Sequence, residues 1–266
     1  MKKLILYSFI CALGFYSIAG LNAEAAPLQL TAAQQKSIKA FVGYFDTIVF
    51  GSEYDKKQAA TIVYKWQGPV RLHLRYVGVK ANPKHRHFIN QHIVDLRRLT
   101  RLPINIVGNP KVATIDIIFV KRKDMGKLKL PQASPQYIAK LAAPGGCYFI
   151  SYKLGPRKKQ KGRIQKSVIV VNAERDIAGI NHCLLEELTQ SIGFPNDSDT
   201  MRPSVFSDKD QLFEFSPVDK TVIRVLYDKR MKMGIPRKEG LALAGEIMAD
   251  VFFKNEKPAT SHKPKK

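Results

Sequence analysis

The chain has 266 residues, of which 44 are Lys or Arg and 22 are Asp or Glu, giving a formal charge of +22; 45% of its residues are hydrophobic. That apolar share excludes disorder across the body, and a chain this long can bury a sizeable core in one domain. The basic excess attracts polyanions, but the aromatic residues are not interleaved with the basic runs and no nucleic-acid motif is present, so nucleic acid is excluded as an expected partner.

Residues 1–25 open with Lys2 and Lys3, continue as an apolar run from Leu4 to about Ile18, and end on Ala23, Glu24 and Ala25. This is the pattern of a cleavable secretory signal peptide, too short in its apolar part for a spanning helix, and it predicts a periplasmic or secreted protein starting at Ala26. Cys11 lies inside the apolar run rather than after it and is not read as a lipid attachment point. Cleavage removes two Lys and one Glu, leaving a charge of +21. In an envelope that charge would be drawn to anionic surfaces.

Thr31 is placed as an N-cap for a helix running to about Phe50, with Ile38, Val42, Phe45 and Ile48 at helical spacing. Two extended runs follow: Thr61 to Trp66, and Val70 to Val77, where apolar and polar residues alternate as on a half-buried strand. A helix is expected from Pro83 to about Leu99, then a strand from Pro103 to Val107. Its His85 and His87, with His92 one turn on, read as a solvated helix start rather than a metal site. Ile115 to Val120 is an almost continuous apolar run, expected of a strand covered on both faces. Strands are also expected at 145–154 and Ser167 to Val171. Between them lies the basic hairpin tip that contains Arg157, Lys158, Lys159 and Lys161. Helices from about Arg175 to Ile192, Val218 to Tyr227 and Arg237 to Phe253 complete an α+β sandwich in one domain over residues 26–253. Residues 254–266 form a basic tail without apolar periodicity.

Cys147 and Cys183 remain after export, and an even pair in an oxidising compartment predicts a disulfide. The alternative, a reactive thiol at Cys183 beside His182, would need a third orienting group.

The segment Glu186 to Asp197, EELTQSIGFPND, resembles the metzincin pattern H-E-x-x-H-x-x-G-x-x-H with its ligands changed. Glu186, Gln190 and Asn196 stand at the metal-ligand positions, Glu187 at that of the general base, and Gly193 at the turn glycine. Beyond the helix, Pro203 to Phe206 is similar to the turn that bears a buried Met in these enzymes, with Phe206 in place of the Met. Phe215 to Tyr227 is similar to the helix that ends a matrixin catalytic domain. The order of elements over residues 70–192 agrees with that fold. The chain resembles more closely still a family of bacterial exported proteins of unknown function, many described as candidate lipoproteins, that share a C-L-x-EELTQ-x-xG-x-x-NDSD segment (here Cys183 to Asp199), a VF-x-D stretch (Val205 to Asp208) and an LYD-x-R ending (Leu226 to Arg230).

The resemblance implies a zincin-like fold: a mixed twisted sheet with an antiparallel edge strand, an active-site-type helix and C-terminal helices. Oxygen ligands suit zinc poorly and a hard cation such as calcium better, with Asp197 and Asp199 able to add charge and His182 one turn before Glu186 as a weaker ligand candidate. No resident cofactor is expected. Glu186 and Glu187 project about 100° apart on a helix, which disfavours a shared acid and base of the glycosidase kind. Three functions stay open: a non-catalytic binder of an extended peptide or an anionic envelope component; an active metal-dependent hydrolase with Glu187 as base; and a purely structural envelope protein. In the binding reading, Arg157, Lys158, Lys159 and Lys161 would meet the anionic partner.

Overall fold

The computed structural model describes residues 30–52, 59–158 and 160–253. The expected signal peptide, the basic tail and Lys159 lie outside the described residues. Helix α1 (Ala32–Phe50) begins as expected at Thr31, whose hydroxyl accepts from Gln34 N while the Gln34 side chain reaches back to the Thr31 amide. The strands are β1 (Val70–Val77), β2 (Ile104–Ile106), β3 (Ile115–Val120), β4 (Cys147–Lys153) and β5 (Ile164–Asn172), in spatial order β2-β1-β3-β5-β4. The first four neighbours run parallel; β4 is an antiparallel edge strand on β5. The expected α+β class with a mixed sheet and an antiparallel edge is therefore observed.

Between β1 and β2 runs α2 (Pro83–Thr100). Asn82 caps its first turn, Pro83 occupies the position where an amide has no helical partner, and Arg97 and Arg98 sit at the negative end. The short α3 (Arg122–Met125) and α4 (Pro135–Ala142) follow β3; α5 (Ile177–Ser191), α6 (Pro217–Tyr227) and α7 (Arg237–Phe253) follow β5. From Thr31 onward the chain forms one unit by its contacts.

The sheet carries two cores. Val70, Leu72, Ile117, Phe119, Ile169 and Val171 face the larger one, with α1, α2, α5, α6 and α7. Ile118, Val120, Val168 and Val170 face the smaller one, closed by Met125, Leu130, Ile138 and Leu141. The two-sided burial expected of β3 is thus observed. The cover on its second face comes from α3 and α4, which sequence periodicity did not reveal because they span only one and two turns.

Two expectations are corrected. Residues 61–66 do not form a strand. Val63 exchanges backbone hydrogen bonds with Gly234 and Ile235, while Lys65 bonds Gly162 and Ile164, so the extended run is satisfied by two separate segments and builds no ladder. His85 and His92 are not solvated. Both are 3% exposed; His85 stacks on Phe119, which also stacks on Tyr76, and His92 Nε2 lies 2.9 Å from Asn181 Oδ1. Burial lowers the pKa of each. No helix among the described residues is long and apolar enough to cross a membrane.

Candidate functional site

Asp176 caps α5 by accepting from Gly179 N, and Ile180, Leu184, Leu185 and Leu188 fix the helix in the larger core. This leaves His182 and Glu186, one turn apart, on a polar stripe that continues to Gln190. The helix stops at Ser191, and Gly193 then adopts φ +137. A side chain there would meet Tyr64 O at 2.8 Å and Leu226 Cδ2 at 2.9 Å, so glycine is what lets the chain turn back over the helix. The returning loop brings Asp197 and Asp208 to Glu186: one carboxylate oxygen from each lies within 4.8 Å of the others.

The predicted ligand positions separate. Gln190, 3% exposed, donates from Nε2 to Asp197 Oδ1 at 2.6 Å. Asn196 turns away, its Nδ2 donating to Thr47 O of α1 at 3.1 Å and to Asp197 O at 3.0 Å, so Asp197 rather than Asn196 faces the helix. His182 Nε2 is 3.6 Å from Glu186 Oε2, while its Nδ1 lies 3.0 Å from Leu212 O and 3.2 Å from Leu212 N. Burial lowers the His182 pKa, keeping the ring neutral at physiological pH. Asp199 is not in the cluster. It accepts from Ser207 Oγ at 2.7 Å and pairs with Lys209 at 2.9 Å, and these hydrogen bonds, the Lys209 one first, lower its pKa.

Glu187 is 4% exposed and lies with Glu186 beside Cys147 Sγ. That sulfur is bonded to Cys183, with Cα atoms 6.0 Å apart, and so offers no thiolate. The disulfide joins the start of the edge strand β4 to α5, which excludes the free thiol at Cys183. The donor set is oxygen-rich with a single nearby imidazole, and does not fit a zinc centre. Among the described residues, Glu186, Asp197 and Asp208 form a carboxylate group that could hold a hard cation.

Behind α5 the 203–206 turn is held from below. Ser204 Oγ, 2.7 Å from Tyr44 Oη, donates to Asp219 Oδ1 at 2.7 Å; Val205 N and Ser216 N also donate to Asp219, which with Ser216 forms the capping box of α6. Burial raises the pKa of Asp219, against the pull of these donors. Phe206 is fully buried, its ring 5.2 Å from that of Phe194.

A groove of about 400 Å³ lies along the side of β4 that has no strand partner among the described residues, lined by Thr61, Tyr64, Tyr137, Phe149, Ile150 and Lys153 among others. It reaches Pro195 but is lined by none of Glu186, Glu187, Gln190 or Asp197; cavity and carboxylates are neighbours, not one site. Lys153 Nζ sits 5.1 Å from the centre of the Tyr64 ring. Beyond Lys153 the chain enters the basic turn, where Arg157, Lys158 and Lys161 are exposed. Sequence reasoning missed Lys153, Tyr64 and Asp208. The first two are brought together from distant segments, and Asp208 had only its place at the end of the VF-x-D stretch to signal it.

The molecule is thus a mixed α+β protein in which one buried helix presents carboxylates beside a sheet edge that has no strand partner among the described residues. The family described as Protein of unknown function (DUF2927) matches residues 39–243, from α1 into α7, and the chain belongs to that family. No curated protein matches it.

Proposed function

We propose that this is an exported envelope protein, periplasmic or secreted, that binds an extended acidic peptide along the free edge of β4 in a zincin-like fold whose metal ligands have been replaced. The observation that carries the reading is the groove: an edge strand with one unpartnered side, aromatic and aliphatic walls, and at its end a lysine with no carboxylate partner among the described residues. Strand addition supplies main-chain hydrogen bonds, and the Lys153 ammonium and the basic turn supply charge complementarity to acidic side chains. The burial of Glu187 and the engagement of Gln190 with Asp197 speak against a hydrolytic centre. Four parallel strands, an antiparallel edge and a buried Phe206 beneath α5 support the zincin-like reading. The disulfide, a bond that persists outside reducing compartments, supports export together with residues 1–25.

Fluorescence anisotropy with labelled extended peptides tests this. An acidic peptide should bind, a basic one of equal length should not, and N-methylation of alternate peptide bonds or Lys153→Glu should weaken binding about tenfold or more. Acidic peptides that fail to bind, or bind Lys153→Glu equally well, would refute it. The oxygen cluster of Glu186, Asp197 and Asp208 favours the competing metallohydrolase reading. About one equivalent of metal, lost in a Glu186→Ala, Gln190→Ala variant, with peptide turnover that disappears in Glu187→Gln, would establish that reading instead.

A further inference from the structure

A second basic feature lies at the other end of β4, where the loops following two parallel strands meet. Arg122 follows β3 and Arg175 follows β5, and both guanidinium groups close on the Gly145–Gly146 turn that leads into β4. A Cβ at Gly145 would stand 2.5 Å from Arg122 Nε, and one at Gly146 would stand 2.8 Å from Arg175 Nη1; Gly145 also has φ +79. Two consecutive glycines therefore let two guanidinium groups lie directly against the main chain.

The floor beneath them is fixed. Asn172 Nδ2 donates to Gly145 O at 2.7 Å, Asn172 N donates to Gly146 O at 3.0 Å, and Asn172 Oδ1 accepts from Glu174 N at 2.9 Å. Glu174 in turn accepts from Arg122 N at 3.0 Å, and the next residue of the turn, Cys147, is tied to α5. Among the described residues neither guanidinium has a carboxylate within ion-pairing distance; the one side-chain hydrogen bond Arg175 makes is from Nη1 to Cys183 Sγ, at 3.1 Å. Both guanidinium groups thus line one open recess of about 630 Å³, with Pro144, Gly145, Gly146, Asn172 and Glu174.

We infer that this recess binds a phosphate group through Arg122 and Arg175. A planar guanidinium presents paired N–H donors that match two phosphate oxygens, and a recess lined by two of them offers a phosphate group charge-assisted hydrogen bonds from both. The fixed floor means that little ordering accompanies binding. Glu174 is the single acid in the lining and opposes the ligand's charge. The site is distinct from the β4 groove and does not rest on the peptide reading.

Equilibrium dialysis with inorganic phosphate, and sedimentation with phosphatidylglycerol against phosphatidylcholine vesicles, test the inference on the full mature chain. Arg122→Gln and Arg175→Gln should each weaken phosphate binding about tenfold, and Glu174→Gln should tighten it about threefold. Arg98→Gln, elsewhere on the surface, should leave it unchanged. The Arg122 side chain is exposed and holds nothing in the core, so Arg122→Gln keeps the test valid even if Arg175→Gln perturbs the region of the disulfide. Loss of vesicle binding in Arg122→Gln alongside loss of free phosphate would make a lipid headgroup the source. Loss of free phosphate alone would make it a soluble phosphate compound. Phosphate that does not bind, or that binds wild type and both arginine variants alike, would overturn the inference.

Discussion

Cutting the Cys147–Cys183 bridge should be among the largest losses of stability available at this site. The bond closes a loop with a sequence separation of 36, and the chain-entropy relation for a loop of that size gives about 4 kcal/mol at 25 °C. Two perturbations separate the cross-link from the packing of the sulfurs. Reduction of the wild-type protein breaks the bond and leaves both sulfurs. A Cys147→Ala, Cys183→Ala variant removes them and adds the loss of the fully buried Cys183 sulfur. Urea denaturation can be followed by the single tryptophan, Trp66, which is 4% exposed and donates from Nε1 to Ser191 O at the end of α5. The reduced protein should lose about 4 kcal/mol, with a steeper urea dependence because its unfolded chain is less compact, and the double variant slightly more. A difference below about 1 kcal/mol between oxidised and reduced wild type would refute the view that the bridge restrains the unfolded chain and pins the edge strand to α5.

Asp219→Ala leaves Ser204, Val205 and Ser216 donors buried without their acceptor, and the urea midpoint should report a loss of about 2–4 kcal/mol, with Asp219→Asn losing less. Phe206→Ala should lose about 3–5 kcal/mol from a filled core position, whereas Phe206→Met should stay within about 1.5 kcal/mol of wild type in the same assay. His85, His92 and His182 all have pKa values lowered by burial, so on acidification the unfolded chain takes up their protons first. Their contribution to stability is complete above about pH 6.5 and is lost as the pH falls from there through their folded pKa values. Asp219, its pKa raised by burial, acts in the opposite sense: it binds its proton earlier in the folded state and offsets part of the loss at lower pH. Thermal unfolding midpoints measured from pH 7.5 downward should therefore fall, and less steeply in His92→Gln; a flat profile would contradict the burial of these rings.

Elements with long periodic signals were legible in the sequence. α1 and α2 have apolar spacing and caps, and β1 and β3 display the one-sided and two-sided burial that their patterns imply. Residues 61–66 have the composition of a strand, but pairing depends on what lies alongside, and there two unrelated segments each take part of the run. α4 is only two turns long, and its start, Ser134 before Pro135, was a local cap signal without enough periodicity behind it. At the site, helical spacing correctly grouped His182, Glu186 and Gln190. The loop beyond Gly193 was out of reach, because which of Asn196, Asp197 and Asp199 faces the helix depends on a turn whose geometry is set by contacts to Tyr64, Leu226 and Thr47. Histidines 85 and 92 stand among basic residues in the chain, yet their own ring faces point inward.

Helix α1 packs against α7, with residues 51–236 between them. Synthesis delivers the amino end first, so α1 emerges before every segment it packs on: Asn196 and Ser204, which bond Thr47 and Tyr44, and then α7, whose Gly245 lies against Ile38 and Val42. The domain closes only when its final segment arrives. A chain built this way completes its core only late in synthesis.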